Sequence, residues 1–184
     1  MKNLLCILLL MIGFQSFAQT KTISGVKFPT TIKLGNENLV LNGGGLREKY
    51  WMDLYVAALY LETKTTDASK VIYGTGAMAI HIKIISSSVT RERFIESVNE
   101  GFANSSCKAS ADEKKKFISF FSEPFKNGDI IHLEYTADKG VKVTKNGVVK
   151  GTIPGYDFKK ALFAIWLGSK PADETLKKGL LGKG

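Results

Sequence analysis

The segment LNGGGLREKYWMDLYVAALYL, residues 41–61, decides how this chain folds. Three consecutive glycines, Gly43 to Gly45, lead into Leu46-Arg47, and a run apolar at every position follows from Leu54 to Leu61. Both alternating sets of that run, Leu54/Val56/Ala58/Tyr60 and Tyr55/Ala57/Leu59/Leu61, are apolar. A strand with two apolar faces belongs in the interior of a sheet covered on each side. The glycines precede a strand and not a helix, so no helix N-terminus is there to receive a phosphate. They suit a bulge or a close approach of backbone within the hairpin. If the hairpin turns around Trp51, Arg47 and Tyr55 are equidistant from its tip and face each other across the strands. A guanidinium and a phenol would then converge on one anion against an apolar interior, although a surface arginine beside a core tyrosine fits the pattern as well.

Around this segment the chain reads as strands, then helices, then strands, then helices. Short strands are expected over 31–34 and 38–41 with a Gly35-Asn36 turn, a long strand over 50–61, and a half-buried alternating strand over 78–85. Asp67 is placed to cap a helix reaching Tyr73. A second helix over 90–102 carries Phe94, Val98 and Phe102 on one stripe. Ser110-Ala-Asp-Glu113 is a capping box, opening a helix that turns Phe117, Phe120 and Phe121 inward. Strands over 130–135 and 141–150 form a meander, with Asn146-Gly147 as the favoured hairpin turn. Asp157 opens a helix with Phe158, Ala161, Leu162, Ile165 and Trp166 at helical spacing and Gly168 as its stop, and Pro171 starts a last one. Blocks of this order predict an α+β fold with helices packed on an antiparallel sheet.

Residues 1–18 have a positive start, a short apolar core from Leu4 to Phe14, and small residues at Ser16 and Ala18. This is the pattern of a secretory signal peptide cleaved before Gln19, and the run is too short for a helix spanning about 30 Å of hydrocarbon. The expected product is an exported, periplasmic or secreted protein whose single domain occupies residues 19–184, with no stable membrane insertion after cleavage. Cys107 is then the only cysteine left, which excludes an intrachain disulfide.

The formal charge of +9 attracts anions, but the lysines are scattered or in pairs (Lys159-Lys160, Lys177-Lys178) apart from Lys114-Lys115-Lys116, and no aromatic-interleaved basic stripe accompanies them. Solvated faces explain them better than a nucleic-acid surface. His81 and His132 each stand alone in an alternating strand, so neither a metal nor another cofactor is expected. Ser86-Ser87-Ser88 lacks the setting of a nucleophile and reads as a strand-to-helix connection.

Several blocks taken together carry a resemblance: Gly25-Val26-x-Phe28-Pro29, Leu41 to Arg47, Leu54 to Leu61, and Ile165-Trp166-Leu167-Gly168-x-x-Pro171 with Leu176-Lys177. Over nearly the whole chain after residue 18 the sequence resembles the chalcone isomerase-like family. The resemblance implies an open-faced β-sandwich, a long antiparallel sheet backed by a layer of helices with a ligand cleft between the two. Plant members close a flavanone ring, using an arginine after the glycine turn, a threonine on the next strand, and a tyrosine and an asparagine on the following helix. Here the arginine is kept as Arg47, the threonine position falls on Tyr55, the tyrosine position on Phe94 and the asparagine position close to Gly101. A later hydroxyl-bearing position falls near Ile165. Enolate stabilisation needs those hydroxyl donors, and Phe94 and Ile165 supply none. The non-catalytic, fatty-acid-binding relatives resemble this chain more, since they grip a carboxylate with an arginine and a tyrosine. The resemblance therefore implies a small amphipathic carboxylate such as a fatty acid as the partner, bound without turnover by Arg47, Tyr55, Phe94, Val98 and Ile165. An isomerase or intramolecular lyase acting on an unsaturated carbonyl compound, and a scaffold with a self-filled cleft, stand as alternatives.

Overall fold

The computed structural model describes residues 19–184; the expected signal peptide lies outside the described residues. The elements run β1 (Thr20–Ile23), β2 (Val26–Pro29), β3 (Thr31–Leu34), β4 (Glu37–Lys49), β5 (Met52–Leu61), α1 (Ala68–Tyr73) and β6 (Met78–Ile84), followed by α2 (Arg91–Asn104), α3 (Ala111–Ser119), β7 (Ile130–Thr136), β8 (Gly140–Lys145), β9 (Val148–Ile153), α4 (Tyr156–Leu167) and α5 (Glu174–Leu180). Strands β3 to β9 form one seven-stranded antiparallel sheet in sequence order, and β1 pairs only with β2. The helices lie on one face of the long sheet, the α+β arrangement that the order of elements predicts.

Strand β5 has the two-sided burial its composition requires. Tyr55, Ala57, Leu59 and Leu61 join the core beneath the helices, while Val56, Ala58 and Tyr60 join a second cluster with Phe28, Leu39 and Leu41. The β1–β2 hairpin, short, mostly polar and without a strong strand pattern, provides Phe28 and the flanking Ile23 and Val26 to that second cluster. Tyr60 is tied to it by a hydrogen bond from its hydroxyl to the Pro29 carbonyl at 3.0 Å. Strand β6, expected to be half-buried, is buried at every position but Lys83, because its outer face is also covered.

The glycines have a larger role than a local bulge. A Cβ on Gly43 would stand 2.2 Å from the Gly179 carbonyl oxygen, and one on Gly179 would stand 2.6 Å from that of Gly44. Helix α5 therefore lies flush on β4, a contact only glycine permits on either side. A register shift between Leu41 and Gly43 marks the bulge. Asp173, not Pro171, caps α5 by accepting from the Leu176 amide.

Helix α4 is buried along nearly its whole length from Phe158 to Leu167. It includes Lys159, wholly enclosed, whose ammonium donates to the carbonyls of Val71, Ile72 and Gly74 at 2.6–2.9 Å. These are carbonyls at the C-terminal end of α1 that have no partner within that helix. Burial draws the pKa of Lys159 down to about 8, so it is still an ammonium at neutral pH.

Candidate functional site

The β4–β5 hairpin turns on two residues, Tyr50 and Trp51, with Lys49 paired to Met52. Strand β5 thus begins at Met52 and not at Tyr50. From this tip Glu48 pairs with Asp53, and a register shift between Arg47 and Glu48 then sets Arg47 directly opposite Tyr55, which pairs in turn with Ile84 of β6. Direct cross-strand partners share a face, and this one faces the helices. Along β4 the same face presents Gly43, Gly45 and then Arg47. The glycines seat α5, and beyond them a cavity opens over Arg47.

That cavity measures about 250 Å³. Its floor is Tyr55, Ile82, Ile84, Ile131 and Leu133 from the sheet; its roof is Phe94, Ser97 and Val98 from α2 with Leu162, Ile165 and Trp166 from α4. Lys49, Tyr50, Met52 and Arg93 stand at its rim. All five residues expected to meet a ligand (Arg47, Tyr55, Phe94, Val98 and Ile165) line this one space. Gly101 does not: it abuts Ile165, whose Cγ2 would lie 2.7 Å from an added Cβ. On α2 it is Ser97 that offers a hydroxyl to the cavity.

Arg47 is 7% exposed, and its Nε has no hydrogen-bond partner. Its one hydrogen bond among the described residues is long, 3.5 Å from Nη1 to the Tyr55 hydroxyl, and none of the ion pairs among those residues includes it. Tyr55 also accepts from the Trp166 indole Nε1 at 2.8 Å, in a buried contact. Two donors therefore point at the phenol oxygen and leave its own proton to be given elsewhere. The indole thereby sets Tyr55 as a donor, a role not readable from helical periodicity, which marks Trp166 only as core. The result is a planar fork and a hydroxyl, both donating, at one end of an apolar pocket. Phe94 deepens the apolar character, stacking at 4.4 Å on Phe125 and tilting at 4.7 Å against Phe121. Phe120, expected inward beside Phe121, does pack against the core but is only partly buried, with its ring over Gly151 at the sheet.

On the opposite face of the sheet the histidines are not solitary. His81 and His132 are direct partners across β6 and β7, with rings stacked at 3.6 Å and 12°. Glu134 stands beside them, and the three offer ligand atoms within 4.8 Å of one another. A metal lies in the plane of each imidazole it binds, whereas these planes are nearly parallel, so a ring would have to turn before both could share an ion. Lys142 already holds Glu134 at 2.6 Å. Burial alone would raise the Glu134 carboxyl, but His81 and Lys142 more than offset it and hold it down to about 2. Burial and the neighbouring His81 lower His132 to about 4.

Comparison with known proteins agrees with this architecture. The family described as chalcone isomerase-like matches residues 20–182. Among solved structures, the crystal structure of a fatty-acid-binding protein from Arabidopsis thaliana superposes with a TM-score of 0.71 at 18% identity, covering 89% of this chain and 96% of that one. No curated protein matches the sequence.

Proposed function

The chain belongs to the chalcone isomerase-like family, and from that premise we propose that it binds a small amphipathic carboxylate, a fatty acid, without converting it. The observation that carries this is the state of Arg47: a buried guanidinium with an unpartnered Nε, set in a mostly apolar cavity that Lys49, Ser88, Arg93, Glu96 and Ser97 also line. An unpaired charge away from water is costly. A carboxylate relieves that cost, because the fork can bind both oxygens while Tyr55 donates its phenol proton to one of them. The acyl chain then runs between Phe94, Val98 and Leu162. The structural likeness to a plant fatty-acid-binding protein supports the same ligand class. Turnover has little to work with, because Phe94 and Ile165 carry no hydroxyl over the cavity. We further propose that the protein acts outside the cytoplasm after losing residues 1–18.

The test is calorimetric titration of delipidated protein with a long-chain fatty acid, its methyl ester and its alcohol. Saturable one-to-one binding of the acid, and at least tenfold weaker binding of the other two, is expected. Equal affinity for acid and ester would reject the carboxylate clamp. Failure of all three to bind would leave the cavity without this ligand class.

A further inference from the structure

Three hairpins among the described residues have two-residue turns with positive φ at both central residues. Ser24-Gly25 forms the first, at φ 43° and 79°, and the other two contrast with each other. One uses Asn146-Gly147, at φ 51° and 79°, the residues such a turn favours. The other places Tyr50 and Trp51 there, at φ 53° and 59°. Bulky side chains are rare in this left-handed region. Neither is held there by packing: Tyr50 is 74% exposed and Trp51 93%, with Met52 beside them also exposed. The aromatic tip thus strains the turn without contributing to the core, and Lys49, Tyr50 and Met52 form the rim of the cavity.

We infer that this hairpin tip is a lipid-surface anchor: Trp51 and Tyr50 enter the headgroup layer of a bilayer and hold the cavity mouth against it. Two aromatic side chains of ~150–250 Å² each, even fully covered, fall well short of the ~800 Å² per partner of a stable protein complex. A narrow convex tip with an amphipathic ring at its apex suits the membrane interface, where tryptophan and tyrosine concentrate. The charges select the kind of surface. Glu48 and Asp53 flank the tip, exposed, and Lys49 is already paired with Glu100 at 3.3 Å. With no positive excess at the point of contact, the occupant is a zwitterionic surface, and the contact should be insensitive to salt. This is reversible interfacial contact and not a span; no helix among the described residues is long and apolar enough to cross a membrane. The inference builds on the proposed function, since a cavity for a poorly soluble acyl chain gains from opening at the bilayer that holds it.

Co-sedimentation with phosphatidylcholine vesicles, without added fatty acid, tests the anchor. The parent protein should bind, and Trp51→Gly should bind about tenfold more weakly or worse. Glycine relaxes the turn, so this variant should melt no lower than the parent, which separates lost binding from lost folding. Vesicles should shift the parent's fluorescence to shorter wavelength and leave that of Trp51→Gly, whose sole tryptophan is Trp166, unchanged. Equal vesicle binding by parent and variant would overturn the inference, as would a parent that ignores the vesicles. Binding abolished by 0.5 M salt would overturn it too, as adsorption through the net positive charge. Fatty-acid affinity in free solution separates the two ideas, because Trp51 does not line the cavity. A parent that docks on vesicles yet binds no acid sinks the proposed function and supports the anchor.

Discussion

Lys159 and Arg47 are both buried cations, and the protein treats them in opposite ways. Lys159, on α4, has its ammonium surrounded by three carbonyls. Arg47, on β4, reaches a single phenol oxygen at long range and leaves Nε unpartnered. Lys145 resembles Lys159, resting on Asp129 at 3.0 Å and on the Pro124 carbonyl at 2.9 Å. Where a buried charge serves the fold, the fold completes its coordination shell. Where the shell is left open beside a cavity, the proposed carboxylate would complete it from outside.

The largest effect is expected at the lysine. Lys159→Met keeps the apolar stem but strands the carbonyls of Val71, Ile72 and Gly74. It should cost about 3 kcal/mol or more of stability, read as a lowered midpoint in denaturant unfolding. The folded fraction should still bind fatty acid like the parent; weaker binding would mean that Lys159 also belongs to the site.

Arg47→Met should behave in reverse. Fatty-acid affinity falls by more than tenfold, since truncating one side of a desolvated charge pair costs about 2–5 kcal/mol, while the unliganded protein loses no stability or gains some. A large drop in melting temperature with affinity intact would make Arg47 a structural residue. Tyr55→Phe divides the clamp between its two donors, because it removes one hydrogen bond to a charged group and leaves Trp166 without its acceptor. Its expected cost in affinity is smaller, about 1.5–3 kcal/mol, checked by the same titration.

The smallest effect lies on the other face. His132 titrates near 4 when folded against 6.5 ordinarily, so the unfolded chain binds the extra proton first and stability falls as pH drops from 6.5 toward 4. Glu134, lowered from 4.5 to about 2, adds a second loss as pH falls through that lower window. His132 is partly exposed, so its contribution is about 1–2 kcal/mol after screening. Melting temperatures against pH should show His132→Gln flattening the first decline and leaving the second. An unchanged profile would remove His132 as the titrating group.

Much of this is legible in the amino-acid sequence. Two apolar faces on residues 54–61 require a covered strand, and a turn near Trp51 brings Arg47 close to Tyr55, although their direct pairing depends on a register shift between Arg47 and Glu48 that no local pattern announces. What the sequence hides depends on contacts distant along the chain. No local pattern says that His81 and His132 fall in register, since that follows from a long excursion through α2 and α3. Lys159 occupies a polar position in an apolar helix and reads as solvated; only the arrival of the α1 end turns it inward. The β1–β2 hairpin is too short and polar to announce that it covers a core. The position of the β4–β5 tip can be read but its backbone cannot, because aromatic residues give no sign of a left-handed turn.

The seat of α5 on β4 has a consequence for how the chain matures. Gly43 and Gly45 are made early, yet their covering partners, Leu176 and Gly179, are made more than a hundred residues later. During synthesis the strand that bears Arg47 can pair with β5 but stays bare on its helix side, and loop closure of that length is slow. An unsealed β4, apolar on one side and glycine-rich on the other, is the surface on which a nascent chain is most exposed to aggregation. Substituting Gly179, which does not line the cavity, should therefore appear first as poor yield and only afterwards as altered binding.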